Sequence, residues 1–159
     1  AYTLNLLNAM VQAKVYKLVF SSTAAVYGEP ESYEPLSELH ALSPLTPYGH
    51  SKLHAEQVIA DLCKVTPMRA TCLRYFNVAG SDIKLRTGLI DKKSTHLIKV
   101  VCEVASKKRK ILTINGDNYN TKDGTPVRDF IHVVDLARIH LMMIKHLIKT
   151  KKSGIYNCG

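Results

Sequence analysis

Residues 16–23 read Tyr16-Lys17-Leu18-Val19-Phe20-Ser21-Ser22-Thr23, a short apolar run that stops abruptly in three hydroxyl side chains. The run is too short for a helix and reads as a buried strand with chemistry at its carboxyl end. Upstream, Leu4, Leu7, Met10 and Val11 recur at helical spacing, so residues 3–14 form a predicted helix. Downstream, residues 24–46 hold three of the six prolines and no clean period, which predicts a long loop. Thr46-Pro47 then supplies an N-cap and a first-turn proline for a helix over 47–64, with Leu53, Val58, Ile59 and Leu62 on its apolar side. A second strand is predicted over 69–74 and a loop over 77–94. A helix follows over 95–107, with Leu97, Val100, Val101 and Val104 inward, and then a third strand over 111–114. Residues 115–126 read as a loop, 127–133 as a short extended piece, 134–149 as a helix and 154–158 as a last strand. Continuously apolar strands alternating with helices predict an α/β fold, a parallel sheet covered on both faces. Ligands bind such sheets at the carboxyl ends of strands, so the informative residues should follow Phe20, Leu73 and Ile114.

The whole chain has 159 residues, 46% of them hydrophobic and 22% charged, which is the balance of a globular protein and excludes disorder. No uncharged apolar run approaches the roughly 18 residues of a membrane helix. The chain opens at Ala1, already inside a helical pattern and without a secretory signal, so a piece of a longer protein is expected. Its net charge of +9 suits anionic partners. The densest cationic run, Lys107-Lys108-Arg109-Lys110, and the group Lys149, Lys151 and Lys152 stand where helices should stop, and there they complement the helix dipole. No aromatic platform is interleaved with them, which argues against nucleic acid. The four cysteines, at 63, 72, 102 and 158, form no C-x-x-C pair, so no disulfide framework is expected and a reducing cytoplasm is. His50 and His54 could share a helix face, but no third ligand follows at useful spacing, so no metal is expected.

Tyr48-Gly49-His50-Ser51-Lys52 places a phenol and an ammonium four residues apart near a helix start, on one face. A phenol is a poor base at its free pKa of about 10, and a neighbouring ammonium favours the phenolate. A hydroxyl from a third residue, such as Thr23, could bridge the phenol and a substrate alcohol. Such a group would remove an alcohol proton while hydride leaves the same carbon. The spacing alone is common among helical surface pairs, and it gains weight by following a strand that ends in serine and threonine.

The stretches 20–28 (FSSTAAVYG), 47–52 (PYGHSK) and 73–80 (LRYFNVAG) together resemble the extended short-chain dehydrogenase/reductases. Residues 116–133, with Asp123-Gly124-Thr125 ahead of Arg128-Asp129, resemble the epimerase branch that interconverts UDP-glucose and UDP-galactose, and 155–159 (IYNCG) is similar to the strand that follows there. The resemblance implies a partial Rossmann-type parallel sheet, formed by 1–80 and 133–159 and holding NAD, with 81–132 part of a small UDP-sugar-binding region. It implies Tyr48 as the base, Lys52 on the nicotinamide ribose and Thr23 on the sugar hydroxyl. Ser21, Ser22 and Tyr75 would stand by the cofactor, and Asn77, His96, Leu97 and Arg128 would hold the UDP-hexose, a planar guanidinium suiting a diphosphate. A homodimer through the helices at 3–14 and 47–64 is implied as well. The chain departs from the pattern at Thr95-His96, where many relatives have paired asparagines, and at Asn115, where they often carry an aromatic. His50 stands at a position that varies among relatives. The glycine-rich loop precedes the matching segment, so a missing N-terminal segment is expected as a partner. The C-terminal portion of the substrate part is expected to be missing too. Nucleotide-sugar dehydratases need an acid and a base after the threonine, where this chain has Ala24-Ala25, and alanine transfers no proton. A sibling UDP-hexose 4-epimerase stays open, as does a non-catalytic remnant or dimerisation module.

Overall fold

The computed structural model describes residues 2–29, 34–91 and 93–159. Within the long loop expected over 24–46, residues 30–33 lie outside the described residues. Helix α1 spans Tyr2–Gln12, strand β1 Lys17–Ser21, α2 Pro47–Val65, β2 Arg69–Tyr75 and β3 Asn77–Ala79. Helix α3 spans Leu97–Ala105, β4 Phe130–His132, α4 Val133–Thr150 and β5 Gly154–Cys158. The chain divides into two compact units, Ala1–Phe76 with Ala137–Gly159, and Asn77–Leu136.

In the first unit β1, β2 and β5 form a parallel sheet in that order, with Phe20 opposite Cys72 and Cys72 opposite Ile155. β2 is central, and Ala70 to Arg74 are buried along it. β1 is half-buried rather than buried, because it lies at one edge of this sheet. On one face Leu7 of α1 and Ile59 of α2 pack with Met68, Ala70 and Cys72, joined by Leu18, Phe20 and Leu62. Burial pushes the Cys72 thiol up to about 12, so it stays protonated and behaves as a core hydrophobe. The opposite face meets α4, whose His140 stacks obliquely on Tyr75 and whose His146 meets the Tyr156 ring edge-on. The α/β sheet with helices on both faces is therefore the observed fold. α1 ends as Lys14 turns into the left-handed region (φ 56°), where Val15 N donates to Met10 O over 2.8 Å. Lys107 (φ 59°) and Lys151 (φ 56°) follow α3 and α4 in the same conformation.

The second unit holds β3 and β4, a parallel pair with Asn77 opposite Phe130, and α3. The sequence pattern predicts a loop for all of residues 77–94; β3 is only three residues long, and it exists because β4 pairs with it from about fifty positions away. The predicted strand over 111–114 is absent. Ile111 and Ile114 are 71% and 67% exposed, and no strand pairs with them among the described residues. An apolar run without a ladder or a layer to cover it has no reason to extend. The expected informative position after Ile114 disappears with that strand. In α3, Val100 is buried while Leu97 and Val101, expected inward, are exposed.

Gly28 has φ +80°, and a Cβ there would stand 2.1 Å from Ser43 O. Both the backbone region and the space exclude a side chain. Gly28→Ala is expected to destabilise the protein by at least about 1 kcal/mol, read as a lower urea midpoint at unchanged slope.

Candidate active site

Thr46 Oγ1 accepts from Gly49 N over 3.1 Å, and Pro47 occupies the first turn of α2. This cap sets where the helix starts, and so where Tyr48 and Lys52 stand. Lys52 Nζ donates to Ser21 O over 2.8 Å. The same ammonium lies 5.8 Å from the centre of the Tyr48 ring and 5.0 Å from that of Phe20. It is therefore held between the phenol and the carboxyl end of β1. Tyr48 is 54% exposed and open to a ligand. Thr23 is the N-cap of a short 3-10 turn, Ala24–Val26, its Oγ1 accepting from Ala25 N over 3.2 Å. The hydroxyl proton remains available to donate. Ser21 Oγ shares a 3.0 Å hydrogen bond with His140 Nε2, and His140 also faces Tyr75. Ser21, Tyr75 and His140 thus gather at the carboxyl ends of β1 and β2.

Ser22 differs from the other candidates. Its side chain is wholly buried and donates to Glu56 Oε1, so its hydroxyl faces the interior. Glu56 is gripped by Arg74 of β2 through Nε to Oε1 (3.1 Å) and Nε and Nη2 to Oε2 (3.2 and 2.6 Å). Arg74 Nη1 donates to Tyr27 Oη over 2.9 Å, and Tyr27 donates to Asn157 Oδ1 over 2.7 Å. Asn157 completes the set by donating to Leu36 O and to Glu38 Oε1. Burial opposes the Arg74 charge, and the hydrogen bonds to Glu56 and Tyr27 outweigh it, so the guanidinium is held above its ordinary value. Sequence reasoning missed Glu56, Arg74 and His140 as contributors to the site. Two signals were present. Glu56 continues the 48, 52 series at the same four-residue step, and Arg74 is the one charge inside an otherwise uncharged run from Ala70 to Val78. A charge inside a buried strand needs a partner. No sequence feature singles out His140.

The second unit carries the other candidates. Asn77 Nδ2 donates to Asp129 O over 2.9 Å and Asn77 N to the same oxygen over 3.2 Å. Arg128 precedes this anchored residue and is exposed. Ahead of it, Asp123 Oδ1 accepts from Thr125 N (2.9 Å) and Thr125 Oγ1 (2.8 Å), which holds its carboxyl below the usual range. Gly124 between them has φ +75°. The Asp-Gly-Thr stretch is thus a self-bonded turn. His96 is the N-cap of α3 and makes no side-chain cap hydrogen bond, and Leu97 opens the helix, half-exposed. Asn77 is thereby fixed on β3 and Arg128 stands two residues ahead of β4, while His96 and Leu97 stand at the start of α3. Among the described residues no cluster of three or more His, Cys, Asp or Glu could hold a metal ion, and no helix is long and apolar enough to cross a membrane.

A parallel sheet whose first strand runs into serine and threonine, followed by a helix presenting tyrosine and lysine to that end, places these residues where such α/β sheets bind their ligands. The chain belongs to the NAD dependent epimerase/dehydratase family, whose model matches residues 1–159. A UDP-glucose 4-epimerase of Azospirillum brasilense is 48% identical over 159 residues, covering 100% of this chain and 45% of that protein. Among solved structures, the UDP-glucose 4-epimerase of Stenotrophomonas maltophila, with bound NAD and formylated UDP-arabinopyranose, matches with a TM-score of 0.92 and 37% identity over 99% of this chain and 47% of its own. The Bifidobacterium longum UDP-glucose 4-epimerase, in complex with NAD+ and UDP, matches with 0.89 and 40%, again over 99% and 47%. The chain therefore spans a little under half the length of these relatives.

Proposed function

We propose that the protein is a UDP-glucose 4-epimerase, in which this chain supplies the reacting groups and part of both binding surfaces. The observation that carries the reading is the seating of Lys52, 2.8 Å from Ser21 O and 5.8 Å from the Tyr48 ring centre, at the end of a parallel strand. The residues fit a nicotinamide cofactor: a hydrogen-bonding ammonium, an exposed phenol and the Tyr75 ring share the carboxyl ends of β1 and β2. Bound NAD would accept and return the hydride. Tyr48 would take the proton from the C4 hydroxyl and give it back to the C4 oxygen after the 4-keto sugar has turned over. Thr23 would donate to that oxygen and hold it near the phenol. Lys52 would keep a positive charge beside the phenol and offer its remaining donors to a ribose hydroxyl. Ser21 would stand beside the cofactor. Ser22 would contribute to cofactor binding only through its backbone, because its hydroxyl is buried on Glu56.

On this reading 1–80 and 133–159 serve NAD and 81–132 the UDP-sugar; the two compact units divide within four residues of those limits, which supports the assignment. Asn77, His96, Leu97 and Arg128 would hold the UDP-hexose. A homodimer through α1 and α2 is supported by Tyr2, Leu4 and Leu6 of α1 and Val58 of α2, all exposed. A cytoplasmic location is supported by four free thiols, at Cys63, Cys72, Cys102 and Cys158.

The test is conversion of UDP-glucose to UDP-galactose by the full-length protein, followed by a coupled galactose assay. Absence of conversion with NAD bound would overturn the reading. Arg128→Ala is expected to weaken UDP binding by a few kcal/mol, as removal of a bidentate charged contact does. Calorimetry with UDP decides it, and unchanged affinity would remove Arg128 from the substrate site.

A further inference from the structure

Tyr48, Lys52 and Glu56 recur every four residues on α2, each step turning only about 40° around the helix. They do not share a fate. Tyr48 is exposed, while Glu56 is 5% and its partner Arg74 1% exposed in their side chains. The two residues after the β1 apolar run each fasten to this helix: Ser21 accepts from Lys52 through its carbonyl, and the Ser22 hydroxyl donates to Glu56 one turn further on. Thr23 follows immediately. On its other side the 3-10 turn that it caps ends beside Tyr27, whose hydroxyl accepts from Arg74. Thr23 is thus bracketed by Ser22 and Tyr27, and both are tied to one buried ion pair. That pair joins the helix bearing the phenol to the strand ends bearing the threonine.

We infer that Glu56, clamped by Arg74, is a positioning residue that sets Thr23 in register with Tyr48 and Lys52. The inference rests on the proposed epimerase reading. Glu56 does not touch the sugar or the cofactor; it acts through Ser22 and through Arg74 on Tyr27. A buried ionic pair with fork geometry suits this role, because the five hydrogen bonds that join Ser22, Tyr27, Glu56 and Arg74 fix direction as well as distance. Reactions between held groups lose rate steeply when the groups move by about 1 Å.

The experiment compares Glu56→Gln and Ser22→Ala in the full-length protein. Glu56→Gln keeps the shape and an acceptor for Ser22 while removing the charge. Ser22→Ala removes one hydroxyl and leaves the ion pair in place. Turnover is measured per UDP-binding site, counted by calorimetry, so that unfolded protein does not enter the rate. In both variants kcat is expected to fall about tenfold or more, with UDP affinity within about twofold and NAD content per chain unchanged. If Glu56→Gln does not fold, Ser22→Ala decides alone. Folded variants that keep kcat within twofold overturn the inference. So does a fall in NAD content that accounts for the lost rate, since it would put Ser22 on the cofactor. A wild-type protein without epimerase turnover overturns the proposed function itself, and this inference with it.

Discussion

Tyr48→Phe in the full-length protein is expected to lower kcat at least about 100-fold while UDP affinity stays within about twofold. Losing a positioned base removes about 10²-fold or more. The substitution deletes one oxygen from a ring that is 54% exposed, so little packing is lost. The ring itself stays beside Lys52 Nζ, which keeps its hydrogen bond to Ser21 O. The UDP would be held by residues of the other compact unit, Asn77 and Arg128, which the substitution does not touch. Steady-state epimerisation and calorimetry on the same preparation check the two halves. A variant that keeps more than a tenth of the wild-type rate would show that Tyr48 is not the base.

Arg74→Met is expected to destabilise the protein by about 3–5 kcal/mol, the cost of leaving a buried charge unpaired. Glu56 would lose all three of its hydrogen bonds from Arg74 and keep only the one from Ser22. Tyr27 would lose the donor to its hydroxyl. Urea unfolding measures the effect, with the second variant Glu56→Met/Arg74→Met as control. The double variant is expected to recover most of the loss, because a neutral apolar pair of similar volume carries no desolvation cost. If the single variant unfolds at the wild-type midpoint, the pair is not the anchor that its burial implies.

The contrast between these two residues shows where sequence reasoning works. Tyr48 and Lys52 were legible because a helix presents positions four apart on one face, and Thr46-Pro47 marks where that helix starts. Arg74 lay in a quoted stretch, yet its role was not legible. Its partners sit at 27 and 56, and the pairing exists only once β2 lies against α2. The resemblance groups Ser22 with Ser21 beside the cofactor. The strand alternates, and Ser22 falls on the face that carries Glu56 while Ser21 falls on the face of His140. Three adjacent hydroxyls in the sequence therefore have three destinations.

The same division holds for the fold. Local chemistry made legible the helices α1, α2, α3 and α4, the strands β1, β2 and β5, and the parallel α/β class, because apolar periodicity and capping act within a few residues. Tertiary structure decided the rest. Residues 111–114 have the composition of a strand and remain irregular and exposed, whereas 77–79 form one because Phe130–His132 lies beside them. Backbone groups of a strand are satisfied only by another strand, so its existence depends on a partner distant in the chain. The same dependence turns Glu56 and Arg74 from two solvated charges into a buried pair, since neither residue carries in its own neighbourhood the group that neutralises it.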